Sequence, residues 1–345
     1  QVNIKSGKRF SSADAFLKPV AERQNLEILN HAHVLKIVIS GNKAIGVIYS
    51  INGKRHTAMC DAEIILSAGS INTPKILNLS GIGDPDELNK LGIKTSIANK
   101  NIGKNLQDHL TVNISATVEG HSTFYEELRG LNVIKHLINY YRNKPSLFSY
   151  AAADVGVFFK LNENSQNPDF QIHFAPGAGQ YHKDGKMRPI SGITASVCQL
   201  RPFSRGSVKL QTANYEDDPI IDYGYLNDSR DTEILLKGIK IVRQFFKTTV
   251  MDNLNAKEIA PGIEVTNDSE LEKFLKANAL SVYHPVGTCK MGLDSTSVVD
   301  PELRVHGIEG LRVADASILP QLISGNTNAI SNVIGIKCAD MIERN

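Results

Sequence analysis

Apolar residues recur at every second position early in the chain. Leu35, Ile37 and Ile39 lead into Ser40-Gly41-Asn42, and Ile45, Val47 and Tyr49 lead out. This spacing about a Gly-Asn turn predicts a β-hairpin from Val34 to Ile51. The run Ile64-Ile65-Leu66 reads as a short buried strand that breaks at Ser67-Ala68-Gly69-Ser70. A helix is expected to begin near Thr73-Pro74, where proline suits an early helical position, and to end at Ser80-Gly81. Strand, glycine turn and helix make up the βα unit of nucleotide-binding sheets.

From about Asn113 to Ala279 the pattern changes to short β-like runs separated by polar loops: Val155 to Phe159, Phe170 to Phe174, Ile193 to Leu200 and Gly206 to Leu210. One amphipathic helix is predicted from about Asp231 to Phe246, with Ile234, Leu235, Ile239, Val242, Phe245 and Phe246 at helical spacing. The end of the chain returns to the first pattern. Leu311-Arg312-Val313-Ala314 reads as a strand running into Asp315-Ala316-Ser317. A final helix then opens in SGNTNAISNVIGIKCADMI, with Asn326, Thr327 or Asn328 as its cap and Ile330, Val333, Ile334 and Met341 as its buried stripe. The fold class expected is α/β plus α+β: residues 1–112 and 281–345 form a nucleotide-type domain, and 113–280 an antiparallel insert.

The bulk numbers narrow the class. A chain of 345 residues with 41% hydrophobic and 21% charged residues suits a globular protein with a sizeable core. The net charge of +2 without a basic stripe argues against a nucleic-acid partner. No apolar run reaches the roughly 18–20 residues of a transmembrane span. Cys60, Cys198, Cys289 and Cys338 are scattered without a C-x-x-C pair, which leaves disulfide pairing open. His31-x-His33 lacks an accompanying carboxylate or cysteine set, so no metal site is expected. Sequons at Asn78, Asn113, Asn227 and Asn267 are compatible with a secreted, extracellular protein. The chain starts at Gln1 without a signal peptide, and it is expected to be a processed product or a piece of something longer.

No G-x-S-x-G elbow, Walker loop or G-x-G-x-x-G occurs. The glycines of SGIGDP follow a helix, where a dinucleotide motif follows a strand. What stands out is SVYHPVGTCKMG, in which His284 lies between Tyr283 and Pro285 ahead of a Gly-Thr-Cys turn. Read alone, this histidine is a packing residue, a metal ligand or a base.

Taken together, the motifs resemble the glucose–methanol–choline (GMC) flavoprotein oxidoreductases. GSINTPKILNLSGIG (Gly69 to Gly83) matches that family's second signature, and NIGKNLQDH (Asn101 to His109) is similar to its Val-Gly-x-Asn-Leu-Gln-Asp-His motif, with Ile102 for the valine. YHPVGTCKMG resembles its active-site loop, and LRVADASILP with SGNTNA its closing flavin-contact strand and helix. The texture is most similar to the arthropod, glucose-dehydrogenase-like branch. Ile330 replaces the family's usual proline after Asn-Thr-Asn-Ala. The family's opening G-x-G-x-x-G and first signature have no counterpart here, so the chain looks like the C-terminal part of a member.

The resemblance implies an FAD-binding domain of the glutathione-reductase-like type, here incomplete, and a substrate domain built on an antiparallel sheet. It implies an FAD-dependent dehydrogenase or oxidase acting on the CH–OH group of an alcohol or sugar, with oxygen or a quinone as electron acceptor. It makes His284 the catalytic base and Asn326 its partner. Histidine's ordinary pKa near 6.5 suits it to take the hydroxyl proton as hydride leaves carbon for the flavin. Asp315, Ala316, Asn326 and Thr327 fall in the flavin-contact strand and helix, Asn105 falls near the flavin, and Val34 resembles a position whose backbone meets the adenine. His109 is expected only to order its loop. Three bland readings stand beside these: a helix cap for Asn326, a turn residue for Asp315 and an ordinary strand residue for Val34. The alternative to an enzyme is a truncated or degenerate member that binds without turnover. A lyase on the same fold is a third reading.

Overall fold

The computed structural model describes residues 3–344 apart from 152, 154 and 182–185. In chain order, the elements used below begin with strands β1 (His33–Ser40), β2 (Lys43–Ile51), β3 (Lys54–Met59) and β4 (Ile64–Leu66), then helix α1 (Gly69–Leu79) and β5 (Lys104–Leu106). There follow β6 (Leu110–Thr117), β7 (Val155–Phe159), β8 (Phe170–Ala175), β9 (Gly192–Gln199), β10 (Gly206–Lys209) and β11 (Ile220–Asp222). Helix α2 (Ser229–Phe245), β12 (Lys257–Ala260), β13 (Leu311–Val313) and helix α3 (Thr327–Glu343) complete the set.

The chain divides into two compact units. One comprises Ile28–His109, Arg201–Asp228 and Val282–Asn345; the other comprises Gln1–Glu27, Leu110–Leu200 and Ser229–Ser281. The divisions after His109 and Ser281 fall near the expected 112 and 280. The segments Gln1–Glu27 and Arg201–Asp228 fall in the opposite unit from the one expected.

In the first unit, β1 and β2 form the predicted hairpin, with Ser40 opposite Lys43 across Gly41-Asn42. A third antiparallel strand, β3, extends the sheet after Asn52-Gly53, whose φ values of 50° and 76° give the left-handed pair that a tight hairpin turn requires. The sequence did not announce β3, because Lys54 to Met59 are exposed throughout and carry no alternation. Strands β4 and β13 pair in parallel, with Leu311 beside Ile64 and Val313 beside Leu66. Helix α1 follows β4 as expected but begins at Gly69, so Pro74 lies inside it. Proline has no N–H to give the carbonyl four residues back. The Thr288 hydroxyl donates to that Ser70 carbonyl instead, at 2.7 Å. Gly206–Lys209, expected in the insert, lies in this unit as β10, between β11 and β5. Ile37, Leu66, Leu77, Val286, Cys289, Leu311, Val313 and Ile334 belong to its core. On α3, Ile334 and Cys338 are buried and Ile330 and Met341 pack against the core. Val333, expected in that stripe, is 46% exposed because the buried face runs through 330, 334, 338 and 341.

The other unit is built on an antiparallel sheet in the order β7-β8-β9-β6-β12, with Leu280–Ser281 also pairing β6. Strand β6 is almost wholly buried, as a central strand should be. Helix α2 lies against this sheet through Leu235, Gly238, Ile239 and Val242. Each fully buried Leu or Ile contributes about 1.5–3 kcal/mol. A Cβ on Gly238 would meet Val197 Cγ1 at 2.6 Å, so glycine permits the close approach. Phe245, expected to be apolar and inward, is 42% exposed, while Phe246 is buried.

Among the described residues no disulfide forms, no group of three or more His, Cys, Asp or Glu side chains is placed to hold a metal ion, and no helix is long and apolar enough to cross a membrane. Of the sequon residues, Asn78 is buried on α1.

Candidate active site

The loop from Val282 to Gly292 lies in the first unit and is held on several sides. Tyr283 has φ 62° and is 86% exposed, and this turn sends His284 inward, where it is buried. Pro285 offers its carbonyl to Ser70 Oγ at 2.7 Å. Val286 and Gln107 exchange both main-chain hydrogen bonds, at 2.8 and 3.0 Å. Gly287 has φ 95°, and a Cβ there would sit 2.4 Å from the Asn105 carbonyl oxygen. Only glycine meets both demands. Thr288 ties the loop to α1, and the Cys289 N–H donates to the Ser317 carbonyl at 2.9 Å.

His284 meets Asp108, His109 and Asn326. Its main-chain N–H donates to Asp108 Oδ1 at 2.8 Å. Its Nδ1 lies 2.9 Å from His109 Nδ1, with the rings edge to face at 83°. Its Nε2 lies 3.1 Å from Asn326 Nδ2. Asn326 occupies the N-cap position of α3, yet its side chain makes no capping hydrogen bond. An asparagine there ordinarily turns its oxygen onto the first N–H groups of the helix. Here the amide faces the imidazole, which removes the cap reading for Asn326.

Asp108 is buried and fully engaged. Besides the His284 N–H it accepts the His109 N–H on Oδ1 at 2.9 Å and the Tyr225 hydroxyl on Oδ2 at 2.5 Å. Tyr225 stacks on Tyr223, centroids 4.8 Å apart and planes 2° from parallel. Burial, and then the Asp108 carboxylate, push the Tyr223 phenol above its usual range, so it stays protonated. Sequence reasoning missed Asp108 and Tyr225, and it gave His109 a looser role than the contact with His284. The Gln-Asp-His tripeptide was a signal for the first and third, whereas nothing in the pattern around Tyr225 marked it.

The remaining candidates lie apart from this cluster or serve it indirectly. The Asp315 carboxylate is withdrawn into the protein, where it accepts from the Gly69 N–H (2.9 Å), Thr73 Oγ1 (2.6 Å) and the Ser317 N–H (2.8 Å). It ties the end of β13 to the first turn of α1. Ala316 opens the short turn Ala316–Ile318, and its carbonyl accepts the Gly287 N–H at 3.4 Å. Thr327 is the first residue of α3. Asn105, with φ 62°, donates to the carbonyls of Gly287 (3.2 Å) and Pro320 (3.3 Å) and accepts from Arg205 Nε (3.2 Å). Val34 lies on the edge strand β1 opposite Tyr49. Burial, with the Asp315 charge second, pushes the Cys289 thiol far above its ordinary range, so the cysteine of the Gly-Thr-Cys turn is a neutral packing residue and not a nucleophile.

Two family profiles, both described as GMC oxidoreductase, match the chain, one over residues 1–111 and one over residues 202–335. The chain belongs to the GMC oxidoreductase family. It is 40% identical to an alcohol dehydrogenase [acceptor] of Pseudomonas putida over all of its own length and 63% of that protein's. It is 37% identical to mitochondrial choline dehydrogenase of Homo sapiens over 99% of its own length and 58% of that protein's. It thus spans about three fifths of the length of these relatives. Among solved structures, the formate oxidase of Aspergillus oryzae RIB40 superposes with a TM-score of 0.91 at 26% identity, covering 99% of this chain and 64% of that one.

The family's cofactor is FAD, and the residues present suit it. The first N–H groups of α3 are left without a side-chain cap, an electropositive terminus open to an electron-rich group. A Cβ on Gly69 or Gly325 would meet nothing within 4 Å, so the backbone at both positions is open to close approach by a large ligand. The inward turn of the Asp315 carboxylate leaves that strand end to offer main chain rather than negative charge.

Proposed function

We propose that His284 and Asn326 form the proton-accepting site of an FAD-dependent oxidoreductase that acts on the CH–OH group of a small alcohol. The observation that carries this is the Asn326 amide, which sits at a helix N-cap and turns to His284 Nε2 at 3.1 Å instead of capping. FAD, when bound, supplies the acceptor for the hydride that leaves the alcohol carbon. The first turn of α3, the strand end at Asp315-Ala316 and the backbone at Asn105 and Val34 are the parts of this chain that would hold it. In this reading the alcohol oxygen replaces His284 Nε2 as the acceptor of the Asn326 amide, which frees the Nε2 lone pair to take the hydroxyl proton as the hydride departs, while the amide steadies the growing negative charge on the oxygen.

Relatives named as alcohol and choline dehydrogenases support a small alcohol, choline included, over the sugar that a glucose-dehydrogenase-like member would oxidise. Oxygen or a quinone serves as electron acceptor in this reading. Its test is flavin bleaching in the holoprotein, followed by stopped flow across primary alcohols, choline and glucose. His284→Ala is expected to slow bleaching about 10²–10⁴-fold with flavin content unchanged. Bleaching at the wild-type rate removes His284 from the reaction.

A further inference from the structure

We infer that His109 is a positioning residue that sets the tautomer of His284, and that Asp108, held by Tyr225, sets its place. The inference deepens the reading of His284 as proton acceptor and rests on it.

An Nδ1-to-Nδ1 contact of 2.9 Å between two imidazoles is a hydrogen bond only if one of the two nitrogens carries a proton and the other a lone pair. The other end of His284 decides which. The Asn326 amide nitrogen faces Nε2, and an amide nitrogen only donates. Nε2 therefore carries a lone pair, and the proton of neutral His284 sits on Nδ1. It follows that His109 Nδ1 accepts and that the His109 proton sits on Nε2. Only in this tautomer does Nε2 of His284 have a lone pair, which takes a proton once the Asn326 amide turns to the alcohol oxygen. When it does, the new cation already has its Nδ1–H bonded to His109.

Position is fixed separately. Asp108 Oδ1 accepts the main-chain N–H groups of both histidines, His284 at 2.8 Å and His109 at 2.9 Å, so one carboxylate oxygen aligns residues 175 positions apart. The Tyr225 hydroxyl on Oδ2 prevents that carboxylate from rotating. His109, Asp108 and Thr288 on the loop behind are all buried, which keeps water from substituting for these partners.

The test is the nitrogen spectrum of holoprotein labelled with 15N-histidine, with His284 and His109 assigned by substitution. Expected are a protonated Nδ1 and bare Nε2 on His284, and the reverse on His109. His109→Leu leaves the Nδ1 proton of His284 without an acceptor, and is expected to let it move to Nε2 as the Asn326 amide turns its oxygen there, and to slow flavin bleaching about 10–100-fold, as loss of the partner that orients a metal-bound imidazole does. His109→Asn, whose amide oxygen still accepts, should recover both the tautomer and most of the rate. If His109→Leu fails to fold, the wild-type spectrum and the milder Tyr225→Phe variant, expected to bleach several-fold more slowly with the tautomer unchanged, carry the test. A wild-type His284 protonated at Nε2 overturns the inference, as does His109→Leu with tautomer and rate unchanged. The expected spectrum together with wild-type bleaching in His284→Ala overturns the proton-acceptor reading instead and leaves the tautomer assignment standing.

Discussion

Asn326 begins helix α3 and contributes no side-chain hydrogen bond to it, because its amide reaches His284 Nε2 at 3.1 Å. The two residues are 42 positions apart, so the contact is made by the fold and not by a local turn. A polar side chain diverted from its ordinary local partner to a buried imidazole has two separable consequences, one for stability and one for chemistry.

The first prediction separates them. An N-cap asparagine changed to alanine ordinarily costs about 0.5–2 kcal/mol. Asn326→Ala is expected to lower stability by less than about 0.5 kcal/mol, because there is no cap to lose. The same change should slow flavin bleaching by about 10²–10³-fold, as loss of one donor to a developing oxyanion does. Denaturant unfolding beside stopped flow reads both quantities. A loss of more than a kilocalorie at an unchanged rate would return Asn326 to the helix.

A second prediction concerns the bond that stands in for the missing proline N–H. Thr288→Val keeps the shape but leaves the buried Ser70 carbonyl without its donor, an expected loss of about 1–3 kcal/mol. In a Pro74→Ala background, residue 74 regains an N–H aimed at that carbonyl, and Thr288→Val should cost less than half as much. Equal costs in both backgrounds, measured as a double-mutant cycle, would show that the two sites are not linked.

Gly287→Ala combines a left-handed backbone with a Cβ 2.4 Å from the Asn105 oxygen. A loss of more than about 1 kcal/mol is expected. The loop carrying His284 must then shift off Asn105, so flavin bleaching should fall as well. An alanine variant with native stability and rate would show that the loop is looser than these contacts require.

The thiols give a pH prediction. Burial pushes both Cys289 and Cys338 above the ordinary range, and the Asp315 charge adds to the effect at Cys289. The folded state therefore keeps these protons to higher pH than the unfolded chain, whose thiols ionise at about 8.5. Their contribution to stability is complete below the ordinary thiol range and is lost as pH rises through it toward the folded values. Melting temperature should fall above about pH 9, and Cys289→Ala should flatten that slope. Alkylation at pH 8 followed by mass spectrometry should label Cys60 well before Cys289, which is buried.

Several elements were legible because their cause is local. Alternation and the Gly41-Asn42 turn announced β1 and β2, and Ile64-Ile65-Leu66 with the following glycine announced β4 and the turn into α1. Strand β3 was not legible, because an exposed edge strand of Lys, Arg, His and Thr is held by ladder hydrogen bonds that no side-chain pattern records. Pro74 suggests a helix start near Thr73-Pro74, four residues after the observed start at Gly69. With Pro74 inside the helix, Thr288, 218 positions from Ser70, supplies the bond that proline cannot.

The sequence by itself determined the family, through ordered motifs, and with it that His284 and Asn326 were the residues to watch. Periodicity and the backbone demands of glycine and proline are properties of neighbours along the chain, so they can be read there. Tertiary structure alone decided that Asn326 turns away from its helix, that His109 touches the ring of His284, and that Tyr225 closes the network on Asp108 across 117 positions. A side chain with both a local and a distant hydrogen-bond partner goes to the one that burial and converging donors favour, and those are set only when separate segments meet.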